Sequence, residues 1–269
     1  MPFLSDTHCH LYMQDFDNDI EEVVNEAYAG GVRKILIPGI DLETSHQSII
    51  LSEKYPECLY AAIGIHPNYS AGVDQFAIET LESLVDHPKV VAIGEIGLDF
   101  YREKVSVEVQ IAVLQKMLDI SKKSGKPICI HNRNSDAEII SLLDDWYTDL
   151  LCSQSSLAAH PGVFHSFSGS EIISKWALAH NFYLGISGPA TFLKSQELQK
   201  IIAEIDIAHL IIETDAPFLC PHPYRGKRNE PQYVRFIAEK IAEIKKMELS
   251  EVITKTSENA NNLFDWEGV

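Results

Sequence analysis

Basic charge, paired cysteines and long apolar runs are all scarce in this chain. Lysine and arginine total 22 against 39 aspartates and glutamates, for a formal net charge of −17. A chain this acidic gains no long-range attraction for a polyanion and repels nucleic acid at low salt. The cysteines, Cys9, Cys58, Cys129, Cys152 and Cys220, are odd in number, widely spaced and form no CxxC pair. That argues against a disulfide framework or a cysteine-based structural zinc cluster, and for a reducing compartment. The most apolar stretches, such as 90–93 and 210–212, fall far below the roughly 18 residues that span a bilayer. Residues 1–6 carry neither the basic region nor the apolar run of a signal peptide. A cytoplasmic location with no membrane partner is the resulting expectation.

What the chain does have is an apolar fraction of 45%, enough for a sizeable core, and a repeated pattern. Short β-branched runs at 3–8, 34–38, 59–65, 90–96, 127–131, 162–166, 182–187 and 209–214 predict strands. Amphipathic stretches at 20–29, 42–54, 107–124, 136–146, 172–180 and 198–205 predict helices between them, and two more follow at 231–245 and 250–262. Strands joined by helices are not hairpins; parallel neighbours fit them. Unbroken repetition of this unit predicts an α/β fold, a (β/α)8 TIM barrel, as one domain over 1–269, close to the usual length of about 250 residues. A Rossmann sheet would want a glycine-rich fingerprint after its first strand. Here the chain reads Asp6-Thr7-His8-Cys9-His10. The stretch 148–161 predicts an extended loop near the rim.

Barrel enzymes place their active sites at the C-terminal ends of the strands. His8, His10, His66, Glu95, His131, His165 and Asp215 all fall at such ends. With 11 histidines in the chain, about one would land there by chance, so the excess is the main functional signal. Side chains alternate along a strand, so His8 and His10 share a face while Cys9 points away. Two imidazoles on one face can hold a divalent ion. Glu95 adds a carboxylate able to bridge two ions, and His131 and His165 can complete a second site. Asp215 then binds metal or takes a proton from water. His8, His10, Glu95, His131, His165 and Asp215 therefore match a two-metal hydrolase, with Glu95 and Asp215 as its catalytic groups. Zn, Mg, Mn, Ni or Fe all suit mixed His/carboxylate ligation. His66, with Pro67 fixing the turn, is assigned to substrate. Cys9 and Cys129 read as buried small apolar residues.

A second cluster follows the last strand, at 221–231. Loops there often bind phosphate in barrels, and Arg225, Lys227 and Arg228 concentrate cations in a chain short of them. Arginine can grip a phosphate with two parallel hydrogen bonds. Arg102 and Arg133, after the fourth and fifth strands, are placed at the same rim as further substrate contacts. Alternatively, Asn229-Glu230-Pro231 merely starts a helix and these cations are solvated.

At these residues the sequence resembles a known family. Asp6-Thr7-His8-Cys9-His10, Gly64-Ile65-His66-Pro67, Gly94-Glu95-Ile96-Gly97-Leu98-Asp99, His165-Ser166-Phe167-Ser168-Gly169, Glu213-Thr214-Asp215-Ala216-Pro217 and Arg225-Gly226-Lys227-Arg228-Asn229-Glu230-Pro231 are similar to motifs of TatD-type deoxyribonucleases. That family lies within the amidohydrolase-like barrels, and the motifs run in family order across nearly the whole chain. The resemblance implies a distorted TIM barrel with two divalent ions on His8, His10, Glu95, His131, His165 and Asp215. It also implies an enzyme acting on ester bonds: phosphodiester cleavage, exonucleolytic at DNA ends in the 3′–5′ direction. Related amidohydrolases often bridge their metals with a modified lysine on the fourth strand; Glu95 stands there here. Ser166 departs from the cysteine found in many members, and is expected to point off the metal face.

The net charge predicts a substrate taken by its end, or a small phosphoester, rather than a duplex gripped along its length. No obligate protein partner is inferred. Two other readings stand beside this one. The first is an amidohydrolase or lactonase using the same metals on a C=O substrate; the second is a non-catalytic metal-binding protein.

Overall fold

The computed structural model describes residues 3–102 and 104–266. Eight strands form one sheet in sequential order, and every neighbouring pair is parallel. They are β1 (Leu4–Asp6), β2 (Val32–Pro38), β3 (Leu59–Ile63), β4 (Val90–Asp99), β5 (Ile128–Arg133), β6 (Gly162–Phe164), β7 (Tyr183–Ile186) and β8 (Leu210–Ile212). Helices α1 (Ile20–Ala29), α2 (Leu42–Lys54), α3 (Gln75–Leu84), α4 (Val107–Ser124), α5 (Asp136–Cys152), α6 (Glu171–Ala179) and α7 (Gln196–Glu204) connect them. Helices α8 (Val234–Lys245) and α9 (Leu249–Phe264) follow β8. This is the α/β barrel that the alternation predicts. No helix among the described residues is long and apolar enough to cross a membrane.

Alternation along the strands divides the core into two apolar layers. Ile35, Ile37, Leu59, Ala61 and Ile63 belong to the larger cluster beneath the helices. Their neighbours Leu36, Tyr60 and Ala62 join Val91, Cys129, Val163, Tyr183 and Ile211 in the second, inside the ring. Leu263, Phe264 and Trp266 complete that inner cluster, so the segment after α9 plugs the end of the barrel opposite the candidate site. The Tyr60 hydroxyl and the Lys34 ammonium both donate to the Trp266 carbonyl, at 2.8 and 3.4 Å.

The ring closes between β8 and β1 through only a few bonds. Thr7 N donates to Ile212 O at 3.1 Å and Asp215 N to His8 O at 2.9 Å, while Cys9 bridges Ala216. Asp6 adds a side-chain clasp: its carboxyl group accepts from Thr214 N at 2.8 Å and shares a hydrogen bond of 2.6 Å with the Thr214 hydroxyl.

Helices α1, α2 and α4 have the bounds the periodicity predicts. At the N-terminus of α2, Asp41 accepts from Thr44 N at 2.8 Å while Asp41 N donates to the Thr44 hydroxyl at 3.0 Å. Three expectations need correction. Helix α3, capped by Asp74, was not among the predicted helices. Several strands end earlier than predicted; the expected runs 3–8, 162–166 and 209–214 pair only over Leu4–Asp6, Gly162–Phe164 and Leu210–Ile212. The stretch 148–161 is no extended rim loop either. Its first residues continue α5, and 156–159 form a 3-10 turn. It reaches the sheet at the start of β5, where Ile128 N donates to Pro161 O at 3.0 Å, on the face opposite the strand ends.

Candidate metal centre

His8, His10, His165 and Asp215 lie just beyond the ends of their strands, whereas Glu95 and His131 lie within β4 and β5. Glu95 lies inside β4 and is 3% exposed, with its backbone N donating to Gly39 O at 2.7 Å just beyond β2. Gly97 lets β4 lie against β5 at His131. Its φ is 146°, and a Cβ there would stand 1.9 Å from the His131 carbonyl oxygen. His165 and Asp215 lie beside backbone turns: φ is 45° at Ser166 and 59° at Asp215.

The Glu95 carboxylate is shared between two sets of imidazoles. Its Oε2 lies 3.4 Å from His8 Nε2 and 3.7 Å from His10 Nε2. Its Oε1 lies 2.9 Å from His131 Nδ1, 3.0 Å from His165 Nε2 and 3.5 Å from His66 Nε2. Asp215 Oδ1 is 3.5 Å from His10 Nε2, and the Nε2 atoms of His8 and His10 are 3.2 Å apart. The His8 ring stacks on His165 at 3.9 Å between centroids.

These spacings fit divalent ions. Zinc–nitrogen bonds of about 2.0–2.1 Å set tetrahedral donors about 3.4 Å apart. The donors around Glu95 Oε2 are separated by 3.2, 3.4 and 3.7 Å. Among the described residues three groups of ring nitrogens and carboxylate oxygens converge: His8, His10 and Glu95; His8, His165 and Glu213; and His66, Glu95 and His131, the last with His66 contributing a ring N–H.

Burial and charge set the protonation of these groups. Burial pushes the His8 imidazole down, which keeps it neutral and its lone pair available. Burial also pushes His66 down, to about 3, against the pull of Glu95. Burial opposes charge on Glu95 too, yet His165, His66 and His131 hold its carboxyl well below the usual range. For Asp215 the burial penalty is outweighed by its contact with His10 and the nearby imidazoles. His131 and His165 are raised despite burial, by the carboxylates Asp99, Glu95 and Glu213. A field that holds a proton on them is a field that attracts a cation.

His66 has a fixed hydrogen-bond direction. Its Nδ1 accepts from Asn68 N at 3.1 Å, so a neutral His66 carries its proton on Nε2, facing Glu95. It offers a donor to the site rather than a lone pair.

The remaining predicted contacts are not equivalent. The Arg228 guanidinium donates to Asp19 at 2.9 and 2.7 Å, to Glu230 at 2.9 Å and to Asp15 O at 2.5 Å. It therefore ties the loop after β8 to α1. Arg225 instead stacks on Phe192 at 4.4 Å and Lys227 lies over Tyr224 at 5.4 Å, and among the described residues neither forms an ion pair. Arg133 stacks on Tyr101 at 4.9 Å, and exposed Arg102 reaches only 3.9 Å from Asp99.

Sequence reasoning gave no role to several groups that support this centre. The Tyr12 hydroxyl lies 2.8 Å from His10 Nδ1. Buried Glu213 faces His165 Nδ1 at 3.5 Å and accepts from Ser166 N. Asn229, fully buried, donates to Thr214 O and Phe218 O at 2.7 Å each, fastening the loop beneath Arg225 to the end of β8. A histidine or carboxylate at a strand end stands out in a sequence; a lone Tyr, Asn or second acid does not.

A ring of parallel strands with histidines and acids gathered at its C-terminal rim defines a metal-binding (β/α)8 barrel. The model of the TatD related DNase family matches residues 5–265, and the chain belongs to that family. It is 38% identical to the Bacillus subtilis protein YabD, described as an uncharacterized metal-dependent hydrolase, over 97% of this chain and 98% of that one. It is 32% identical to the 3′–5′ ssDNA/RNA exonuclease TatD of Salmonella typhimurium, covering 97% of this chain and 98% of that protein. Among solved structures, the Escherichia coli TatD homologue YJJV superposes with a TM-score of 0.88 at 27% identity, over 97% of this chain and 98% of its own.

Proposed function

We propose that this chain is a two-metal phosphodiesterase that removes nucleotides from the 3′ ends of single-stranded nucleic acid. The observation that carries the reading is the division of Glu95, with one oxygen toward His8 and His10 and the other toward His131 and His165. That division would let one carboxylate be shared between two ions, held by His8 and His10 on one side and by His131 and His165 on the other, with Asp215 beside the first set. Divalent ions held there would supply Lewis acidity to a phosphate oxygen and lower the pKa of an attacking water.

The chain's own residues supply the rest. Asp215, held below the usual carboxylate range by His10 and the nearby imidazoles despite its burial, would accept a proton from an attacking water. His66 presents its Nε2–H toward the centre, as a donor to a substrate oxygen. Arg225, held over the Phe192 ring, and Lys227 offer positive charge for the phosphate. Exonuclease names among the relatives support a nucleic-acid end as substrate. A net charge of −17 supports an end rather than a duplex held along its length. The same features support one catalytic domain over the whole chain.

The test is hydrolysis of 3′- and 5′-labelled single-stranded DNA by protein reconstituted with Mg, Mn or Zn, beside a lactone and an amide. Stepwise loss of nucleotides from the 3′ end, absent in Glu95→Ala, is the expected result. Turnover of the lactone or amide with intact DNA would overturn it.

A further inference from the structure

His131 is turned around relative to the other histidines that face Glu95. His8, His10 and His165 approach that carboxylate through Nε2, whereas His131 does so through Nδ1, at 2.9 Å. Its Nε2 therefore points away from the centre, is buried, and has no hydrogen bond of normal geometry. The group facing it, at 3.5 Å, is Oδ2 of Asp99.

Asp99 is built into this position. It is 1% exposed at the end of β4, and its backbone N donates to buried Gln110 Oε1 at 2.9 Å. Gln110 Nε2 donates back to Asp99 O at 3.1 Å. Its carboxylate Oδ1 accepts from the backbone N–H groups of Tyr101 and Arg102, both at 3.0 Å. Its Oδ2 accepts from Asn68 Nδ2 at 2.9 Å. Asn68 is also the residue whose backbone N–H occupies His66 Nδ1. One carboxylate thus faces His131 directly and reaches His66 through Asn68.

We propose that Asp99 is a positioning residue: it holds the proton of His131 on Nε2, so that Nδ1 presents a lone pair to a metal ion, and through Asn68 it keeps His66 as an Nε2–H donor. This rests on His131 being a metal ligand. A ring nitrogen directed at a metal must be unprotonated, and the opposite nitrogen must then carry the hydrogen. At the His131 position only a carboxylate or similar acceptor accommodates that hydrogen. In Asp99→Asn, if Oδ1 keeps the Tyr101 and Arg102 N–H groups, the new amide NH2 meets two donors, Asn68 Nδ2 and His131 Nε2–H. The proton of His131 is then driven to Nδ1, where it opposes metal binding.

The experiment is zinc titration of the full chain against a chelating dye, with long-range 1H–15N spectra of 15N-histidine-labelled protein before and after zinc. In the zinc-loaded wild type, His131 should carry its only ring hydrogen on Nε2 with zinc at Nδ1, and His66 should show the Nε2–H tautomer. Asp99→Asn should weaken the zinc of the His131 site by about 10–100-fold and move the His131 proton to Nδ1. Circular dichroism checks that the variant is folded. A zinc-loaded wild-type His131 that carries its hydrogen on Nδ1, or an Asp99→Asn protein with unchanged zinc affinity and tautomer, would overturn the proposal. The wild-type spectrum decides even if the variant fails to fold. Failure of the wild type to bind zinc at all would instead remove the metal-centre reading beneath it, a distinguishable outcome.

Discussion

The floor of the candidate site and the loop after β8 both concentrate charge, but they hold it in opposite ways. On the floor, Glu95 and Asp215 are buried and each faces imidazoles at 2.9–3.7 Å, so every charge is set against a neighbour on another strand. In the loop, Arg228 is neutralised by Asp19 and Glu230, while Arg225 and Lys227 rest on aromatic rings. A buried charge persists only with partners, whereas a solvated cation keeps its charge for an incoming anion. Under the proposed function, chemistry accordingly belongs to the floor, and recruitment to the part of the loop left without carboxylates.

The widest separation between the two regions is expected from Glu95→Ala. It should lower metal-dependent hydrolysis by about 1000-fold or more and reduce the number of ions bound, read by single-turnover assays and metal analysis. Full activity would mean that the floor is not the reacting centre. Arg225→Ala should lower kcat/KM by about 10–100-fold, mostly through KM, with metal content unchanged. Arg225→Lys should restore little, because an ammonium cannot grip a phosphate with two parallel hydrogen bonds as a guanidinium does. Unaltered kcat/KM in both would reduce that part of the loop to scaffold.

Beneath the floor, Asp6 allows a finer test. Burial raises its carboxyl from the ordinary 3.8 to about 8, against the pull of its bonds from Thr214. The unfolded chain loses this proton near 3.8, while the folded chain keeps it until about 8. The stability it contributes is therefore complete below the lower value and is lost as pH rises toward the upper one. In metal-free protein, Asp6→Asn should remove that slope, so the wild type loses ground to the variant across this range. The relative folding constant should change by up to about tenfold per pH unit, read from urea midpoints. Parallel curves would mean that Asp6 is ionised in the fold. Arg228→Ala should have the smallest effect, lowering Tm by about 1–3 °C and changing kcat/KM less than Arg225→Ala does. A larger loss of turnover than in Arg225→Ala would reverse the division of labour within the loop.

The barrel and the ligand set were legible in the sequence for different reasons. Helices such as 42–54 and 107–124 have an apolar period and termini marked by Asp41 or by Gly125, so their limits could be read. Strand ends could not, because apolar alternation runs on into segments where the backbone turns at Ser166 and Asp215 to deliver side chains. Strand β4 errs the other way. It extends to Asp99 because Leu98 and Asp99 pair with Asn132 and Arg133, polar residues with no strand signal. The metal-facing residues are of telling types at telling positions. Their supports are not: Tyr12, Asn68, Asp99 and Asn229 acquire meaning only from what they touch. The fate of Arg228 was hidden for the same reason, since its partner Asp19 lies 209 residues away.

The meeting of β1 and β8 has a further consequence for how the site comes into being. His8 and His10 precede almost the whole chain, and Asp215 follows most of it, yet Asp215 N donates to His8 O and His10 N to Ala216 O at 2.9 and 2.7 Å. Contacts so distant in sequence carry the largest loop-closure entropy and are expected late in folding. A chain with its ring still open has no pocket between His10 and Asp215 for an ion to enter. Once the ring closes, an ion shared by those residues, as proposed, would fasten the first strand to the last and stabilise the closed form to a degree that grows with its affinity and concentration. Metal capture would then act as a final inspection of assembly: only a completed barrel would acquire the ion that lets it react.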